Sequence, residues 1–500
     1  MKNLCLFSLL FLLSCKQSVD TIDIPTIKSS TAKITGRISS PNDTNKDSIF
    51  VTIGVQHPIS GEYVKYNAFV DRSGKFSIDV DVETDISMMG LYTSLKPYKS
   101  LLVKLTSGGV TNIDIAYNSD FDFKNIDVTP AGLTQNDMTR SLEVINKMID
   151  YRSGRKTEPL YNKSPDVFLN HAKTSVTERL EVLNSDALIS KELKGILSKD
   201  FRLFTYVGFV FDYEKYMKLN YRNVTQDQIN EPAIQKIDRS YYRFLKDFNL
   251  NDPQYLNCYS FIEAQKKILQ NETIGLPEIG ENDIPSWLAK VKTILSDLVG
   301  FEDGQYYDIL AANAYGRQLT EEVRPLSEKQ KQYIAAYWKN GEIAKILFRK
   351  NQQVAELDKF KSPVVINDIS SVSDDKVIET IVAKHKGKVV FIDLWATWCG
   401  PCLDAMTEFR STKAKFHGKD IAFVYLTNGS SPRKLWEEKI KGIGSEHYYL
   451  TGAQWEYIMN HFEFEYIPSY LLYNKEGALI NKVTAFPGNE KVKEMINDLL

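Results

Sequence analysis

At 500 residues the chain is too long to fold around a single hydrophobic core, and about two to four domains are expected. Its 43% hydrophobic and 25% charged residues are ordinary for a soluble globular protein. The 62 basic and 64 acidic side chains leave a formal net charge of −2, which argues against a nucleic-acid surface or a strongly anionic partner.

The chain opens with MKNLCLFSLLFLLSC, in which Lys2 precedes an apolar stretch from Leu4 to Leu13. That stretch is shorter than the about 20 apolar residues a transmembrane helix requires, and it fits a secretory signal over residues 1–15. Leu12-Leu13-Ser14-Cys15 resembles a bacterial lipobox, whose small residue admits the signal peptidase and whose cysteine becomes the lipidated first residue. Cys15 is therefore the expected lipid anchor. Residues 16–30 are polar and irregular, as a tether would be.

Residues 31–120 read differently. KITGRIS, SIFVTIGV, KFSIDVDV, LLVKLT and TNIDIAYN alternate apolar and polar positions, and Asp71-Arg72-Ser73-Gly74 reads as a hairpin turn. The pattern predicts an N-terminal antiparallel β-sandwich without a catalytic constellation. Between 130 and 360 apolar residues recur at three- and four-residue spacings, as in VFLNHAKTSVTERLEVL and SWLAKVKTILSDLV, and predict a mainly α-helical region. Ser164-Pro165-Asp166, Asn282-Asp283 and Ser327-Glu328 carry helix-start chemistry. Cys258, in LNCYSF, reads as a buried apolar thiol. Residues 361–500 alternate helix and strand patterns around the continuous apolar run VVFIDLW, which predicts an α/β unit closed by a hairpin at Asn474-Lys475-Glu476-Gly477.

Export would leave Cys258, Cys399 and Cys402 besides the anchor, too few for a disulfide framework in a chain of this size. Cys399 and Cys402 lie in WATWCGPC, directly after the apolar run. Zinc would need two more ligands at comparable spacing, and the six histidines are scattered, so no metal site is expected. A static bridge across so short a loop would be a poor staple, which favours redox exchange. Gly400-Pro401 suits the first turn of a helix. Cys399 would then sit at the helix N-terminus, where free amides and the helix dipole stabilise a thiolate, with Cys402 one turn further in to resolve a mixed disulfide. Trp398 would cover the site. Asp393, inside an apolar strand, should have its pKa raised by burial and suits a proton-accepting role toward Cys402. Pro468 precedes the SYLLYN strand, where a cis bond or an edge position tolerates proline.

Taken together, FIDLWATWCGPC and the downstream IPSYLLYNKEG resemble the thioredoxin superfamily, most closely the exported TlpA/ResA-like thiol-disulfide oxidoreductases, over about the last 140 residues. The resemblance implies a thioredoxin fold with Cys399 as nucleophile, Cys402 as resolving thiol, Asp393 as buried acid and Pro468 as the cis-proline facing the disulfide. Trp398, Gly400, Pro401 and Ile467 fall where the family docks substrate backbone. One position departs from the pattern: the proline that usually kinks the active-site helix is Thr407.

The resulting expectation is a membrane-tethered reductase of disulfides in extracytoplasmic proteins, facing the periplasm or cell surface. It would need no cofactor beyond the Cys399–Cys402 disulfide and would draw electrons from a membrane thiol donor. Two alternatives are a peroxiredoxin-like peroxidase and a surface binding or assembly lipoprotein whose thioredoxin-like domain docks a partner. WATWCGPC lacks the Pro-x-x-x-Thr-x-x-Cys context of the former.

Overall fold

A computed structural model describes residues 24–40, 49–151, 157–227 and 230–500. The expected signal, the lipobox-like Cys15 and most of the expected tether lie outside the described residues. Among the described residues, no helix is long and apolar enough to cross a membrane.

The first eight strands are β1 (Ile27–Ser39), β2 (Phe50–His57), β3 (Glu62–Phe69), β4 (Lys75–Thr84), β5 (Ile86–Thr93), β6 (Leu101–Thr106), β7 (Val110–Tyr117) and β8 (Phe123–Thr129). They form two four-stranded sheets, ordered β4-β1-β7-β8 and β3-β2-β5-β6. Alternation explains why they share one core: Ile34 and Ile113 from the first sheet and Val51 and Val103 from the second bury into a common cluster. Two boundaries differ from the sequence reading. β1 begins at Ile27, inside the stretch assigned to the tether, because Ile27 and Ser30 pair with Thr84 and Val82 and the Ser29 amide donates to Glu342 at 2.7 Å. Backbone pairing holds this segment, so no apolar alternation marks it. β8 extends beyond residue 120, burying Ile126 and Val128 against β7.

Helices run from Gln135–Asp150 to Glu342–Asp358 and pack around a second, aromatic-rich cluster that includes Phe261, Trp287, Tyr306 and Tyr315. Ser164, Asp283 and Ser327 each cap a helix by accepting a backbone amide of the first turn. The stretch Arg239–Phe248 is a 3-10 helix rather than an α-helix. Its buried residues recur every three positions, Tyr242, Leu245 and Phe248 beside Tyr241 and Phe244, which aligns them on a three-residue turn. The Asn313 amide donates to Pro58 O at 2.8 Å, and Arg349 pairs with Asp81 at 3.2 Å, joining helices to sheets.

The chain is multidomain. Its last part is a six-stranded sheet of β9 (Val364–Asn367), β10 (Val389–Leu394), β11 (Ile421–Asn428), β12 (Ser445–Leu450), β13 (Ser469–Tyr473) and β14 (Leu479–Thr484), ordered β14-β13-β10-β11-β12-β9. β10, β11, β12 and β9 are parallel; β13 and β14 run antiparallel at the other edge. Every residue of β10 is buried, as its unbroken apolar run requires. This unit sits against the rest of the chain. Lys65 of β3 reaches Asp404 at 3.4 Å, Lys434 reaches Glu272 at 2.6 Å, and Gly442 lies so close to Glu321 O that a Cβ there would approach to 2.0 Å.

Candidate active site

β10 ends at Leu394 and the chain turns through Trp395–Trp398 into the helix Gly400–Ala414. Cys399 is its N-cap and Pro401 occupies the first turn, where proline forfeits an amide without an intrahelical partner. Cys399 and Cys402 form a disulfide with their Cα atoms 5.3 Å apart. The Cys402 amide donates to Cys399 Sγ at 3.2 Å, so the free N-terminus of the helix is aimed at that sulfur. The helix runs unbroken through Thr407, whose hydroxyl donates back to Leu403 O at 2.9 Å. At this position the departure from the usual proline leaves a continuous helix.

Cys399 is only 3% exposed, whereas Trp398 beside it is 57% exposed. The Trp398 indole donates to Ser430 Oγ at 3.0 Å, and Ser430 donates to Asn428 at 2.7 Å, which fixes the ring over the loop after β11. Thr397 N donates to Ser431 Oγ at 3.0 Å, fastening the turn that carries the cysteines. The Ile467–Pro468 bond is cis, and Cys399 Sγ lies 3.8 Å from Ile467 O. Pro468 is buried and Ile467 half-buried, while Gly400 and Pro401 are exposed on the opposite rim. The disulfide thus lies between Trp398, the first helical turn and the segment before β13.

Asp393 is 4% exposed, and its Oδ1 is buried with no hydrogen-bond partner among the described residues. Burial pushes its pKa well up, opposed by the charge of Lys413. Cross-strand register places Tyr470 of β13 on one side of Asp393 and Tyr425 of β11 on the other, with His447 of β12 next to Tyr425. A row of four polar side chains therefore crosses the sheet through an otherwise apolar cluster containing Phe391, Phe409, Phe423 and both cysteines. Lys413, from the last turn of the active-site helix, reaches down onto this row. Its Nζ donates to Tyr425 Oη at 3.0 Å and Ile443 O at 2.9 Å. Burial lowers the Lys413 pKa to about 7, against the opposing pull of Asp393.

Sequence reading singled out Asp393 but not Lys413, Tyr425, His447 or Tyr470. A lysine in the last turn of a helix reads as a solvated, dipole-compensating side chain, and only the strand register reveals the row. Among the described residues no group of three or more histidine, cysteine, aspartate and glutamate side chains is arranged to hold a metal. Other elements also frame the site. Lys65, through Asp404, brings β3 to the second turn of the active-site helix, where Tyr63 packs edge-to-face on Tyr259 with ring centroids 5.3 Å apart.

No family model matches the chain. A thioredoxin from Coprinus comatus is 31% identical over 70 residues, covering 14% of this chain and 66% of that protein. The thiol-disulfide oxidoreductase ResA of Bacillus subtilis (strain 168) is 24% identical over 113 residues, covering 22% of this chain and 62% of that protein. The chain thus spans less than two thirds of the length of these curated relatives. A solved chain from Bacteroides vulgatus, assigned as a thiol-disulfide oxidoreductase, is 31% identical, covers 24% of this chain and 82% of its own, and has a TM-score of 0.20. Over part of its length, this chain is homologous to thioredoxin-like thiol-disulfide oxidoreductases.

Proposed function

We propose that this chain is a thiol-disulfide oxidoreductase that reduces disulfides in proteins outside the cytoplasm, tethered to a membrane through lipid on Cys15. The observation that carries the reading is the Cys402 amide aimed at Cys399 Sγ from the start of a helix. Such a donor is worth more to an anionic sulfur than to a neutral one, so it favours Cys399 as the attacking thiolate.

In the reduced protein, Cys399 thiolate attacks one sulfur of a substrate disulfide. The substrate's S–S bond breaks, its second sulfur leaves as a thiolate, and a Cys399–substrate disulfide forms. Cys402 then gives its proton to Asp393 and attacks Cys399 Sγ. The Cys399–Cys402 bond forms, the substrate's remaining sulfur departs as a thiolate, and two electrons have passed to the substrate. A membrane dithiol donor then returns two electrons by thiol-disulfide exchange, leaving as its own disulfide, while Cys402 recovers its proton from Asp393 and Cys399 is left as the thiolate. On this reading substrate backbone lies along Ile467 and Pro468, with Trp398, Gly400 and Pro401 on the other side of the disulfide. We read the two N-terminal sheets as a β-sandwich and the helices as its cover, together forming a scaffold for the redox unit.

Insulin reduction by the full chain and covalent trapping with Cys402→Ala test the reading. Turbidity from reduced insulin and a dithiothreitol-sensitive adduct on Cys399 are expected. Absence of both in folded protein would overturn it.

A further inference from the structure

The segment that brings Ile467 to Cys399 alternates buried and exposed residues. Phe462 and Phe464 are buried with their rings 6.0 Å apart, while Glu463 and Glu465 are exposed. The Phe464 amide donates to Met459 O at 2.8 Å and the Ser469 hydroxyl donates to Tyr466 O at 2.8 Å, which pins the stretch at both ends. Tyr466 is 56% exposed and directly precedes Ile467, whose carbonyl lies 3.8 Å from Cys399 Sγ. Each partner in that contact therefore has an open aromatic side chain as its chain neighbour, Tyr466 for Ile467 and Trp398 for Cys399.

The charges around the disulfide have one sign. Residues 395–403, 427–432 and 463–469 meet there, through Thr397 on Ser431, Trp398 on Ser430 and Cys399 on Ile467. These stretches contain Glu463 and Glu465 and no basic side chain. Glu463 is paired with Lys482 at 3.3 Å, and Asp404, one helical turn beyond Gly400, is paired with Lys65 at 3.4 Å. Glu465 has no hydrogen-bond or ion-pair partner among the described residues. It stands two residues before Ile467, so their Cα atoms are within about 7 Å of one another. A free carboxylate beside open aromatic faces attracts an ammonium or guanidinium, by its charge and by the ring quadrupoles, and repels another carboxylate. Lysine and arginine also carry apolar stems that cover a ring while the charged head stays hydrated.

Resting on the reading of Cys399 and Cys402 given above, we propose that Glu465 and Tyr466 are specificity-determining residues that select protein disulfides whose reacting cysteine has a lysine or arginine within two positions. The basic head group lies at Glu465 and its stem against Tyr466, with Trp398 across the disulfide. Neither residue takes part in electron transfer. Their contacts exist in the bound complex and in the transition state alike, so they act on the half-saturating concentration and not on the limiting rate.

Disulfide-bonded peptides of one sequence, with lysine, glutamine or glutamate beside the reacting cysteine, test the assignment. Oxidation of the reduced full chain is followed by tryptophan fluorescence against peptide concentration, and reaction of the same peptides with dithiothreitol corrects for their intrinsic reactivity. The lysine peptide is expected to react about tenfold faster than the glutamate peptide at low concentration, with similar limiting rates, as an exposed ion pair and a cation–π contact together allow. Glu465→Gln should cut that ratio to about twofold, Glu465→Lys should invert it, and about 1 M salt should shrink it in the wild type. Tyr466→Leu keeps apolar bulk without the ring and should lower the ratio about twofold. Equal corrected rates for the three peptides, a ratio indifferent to Glu465→Gln, or a ratio carried wholly by the limiting rate would overturn the proposal. In the first case the chain would keep its functional reading. Redox-inert peptides, with serine in place of cysteine, read recognition by the oxidised chain without turnover. Tighter binding of the lysine form, weakened by Glu465→Gln, is expected, and equal binding of the lysine and glutamate forms would overturn the proposal. A chain that no peptide oxidises but that still binds the lysine form through Glu465 would lose its functional reading and keep this recognition.

Discussion

Cys258 and Cys399 occupy the same formal position, each the N-cap of an α-helix, yet their surroundings are opposite. At Cys399 the sulfur accepts the amide of Cys402. At Cys258 the thiol faces carbonyls, Gln254 O at 3.7 Å and Ile196 O at 3.9 Å, as a protonated donor would. The free amide at that helix start goes elsewhere: Ser260 N donates to Asp200 at 2.8 Å. Burial pushes the Cys258 thiol well up, and the charge of Asp200 adds to the effect. A helix N-terminus alone therefore does not make a reactive cysteine. What matters is whether sulfur or a competing carboxylate receives the amides, and whether a cis-proline segment lies against the sulfur.

The largest test of that contrast is functional. Cys399→Ser should abolish insulin reduction, by at least about a thousandfold, because the alcohol is a poor leaving group and a poor nucleophile at neutral pH. Cys258→Ala should leave the rate unchanged, with a stability loss of about 1 kcal/mol for a trimmed core side chain. Equal losses in both variants would erase the distinction drawn here.

The second comparison sets charges within the two buried surroundings, and it has a sign that pH resolves. Because burial raises the folded-state pKa of Asp393, its ionisation opposes folding. The penalty is absent below the ordinary value of 3.8, grows as pH rises, and is complete above the folded-state value. Asp393→Asn removes it. The same change withdraws the carboxylate that favours the Lys413 ammonium, so some of the gain is lost below the Lys413 value of about 7, where the lysine is charged. The variant is thus expected to be more stable than wild type near pH 8.5 and no more stable near pH 4. Urea unfolding at the two pH values measures it. A gain that grew on acidification would reverse the argument.

The legibility of these features in the sequence follows their range. The helix start that sets Cys399 apart lies within eight residues, WATWCGPC, so turn chemistry and helix-start rules reach it without tertiary information. Asp393 stood out because a single acid interrupts an apolar strand. Lys413, Tyr425, His447 and Tyr470 did not, since the row exists only through the pairing of β10 with β11 and β13, and of β11 with β12. The same logic separates the strands. β4 and β7 advertise themselves by alternation, while the first residues of β1 are held by backbone pairing and a Glu342 contact more than 300 positions away. In the helical part, the three-residue spacing at 239–248 reads as ordinary helical periodicity because residues three apart also share one face of an α-helix.

The smallest expected effect isolates the competing carboxylate. Asp200→Asn keeps an oxygen that can accept the Ser260 amide but removes the negative charge that disfavours a Cys258 thiolate. Burial remains, and burial is the larger cause of the raised thiol. The Cys258 pKa should therefore fall only modestly, seen as a rise of about threefold in its alkylation by iodoacetamide at pH 9, where each half unit of pKa changes the thiolate fraction about threefold. The rate should stay far below that of Cys399 in the same reduced protein. A Cys258 that became as reactive as Cys399 would mean that Asp200, and not exclusion from solvent, keeps it inert. The difference between the two helix caps would then reduce to a single charge.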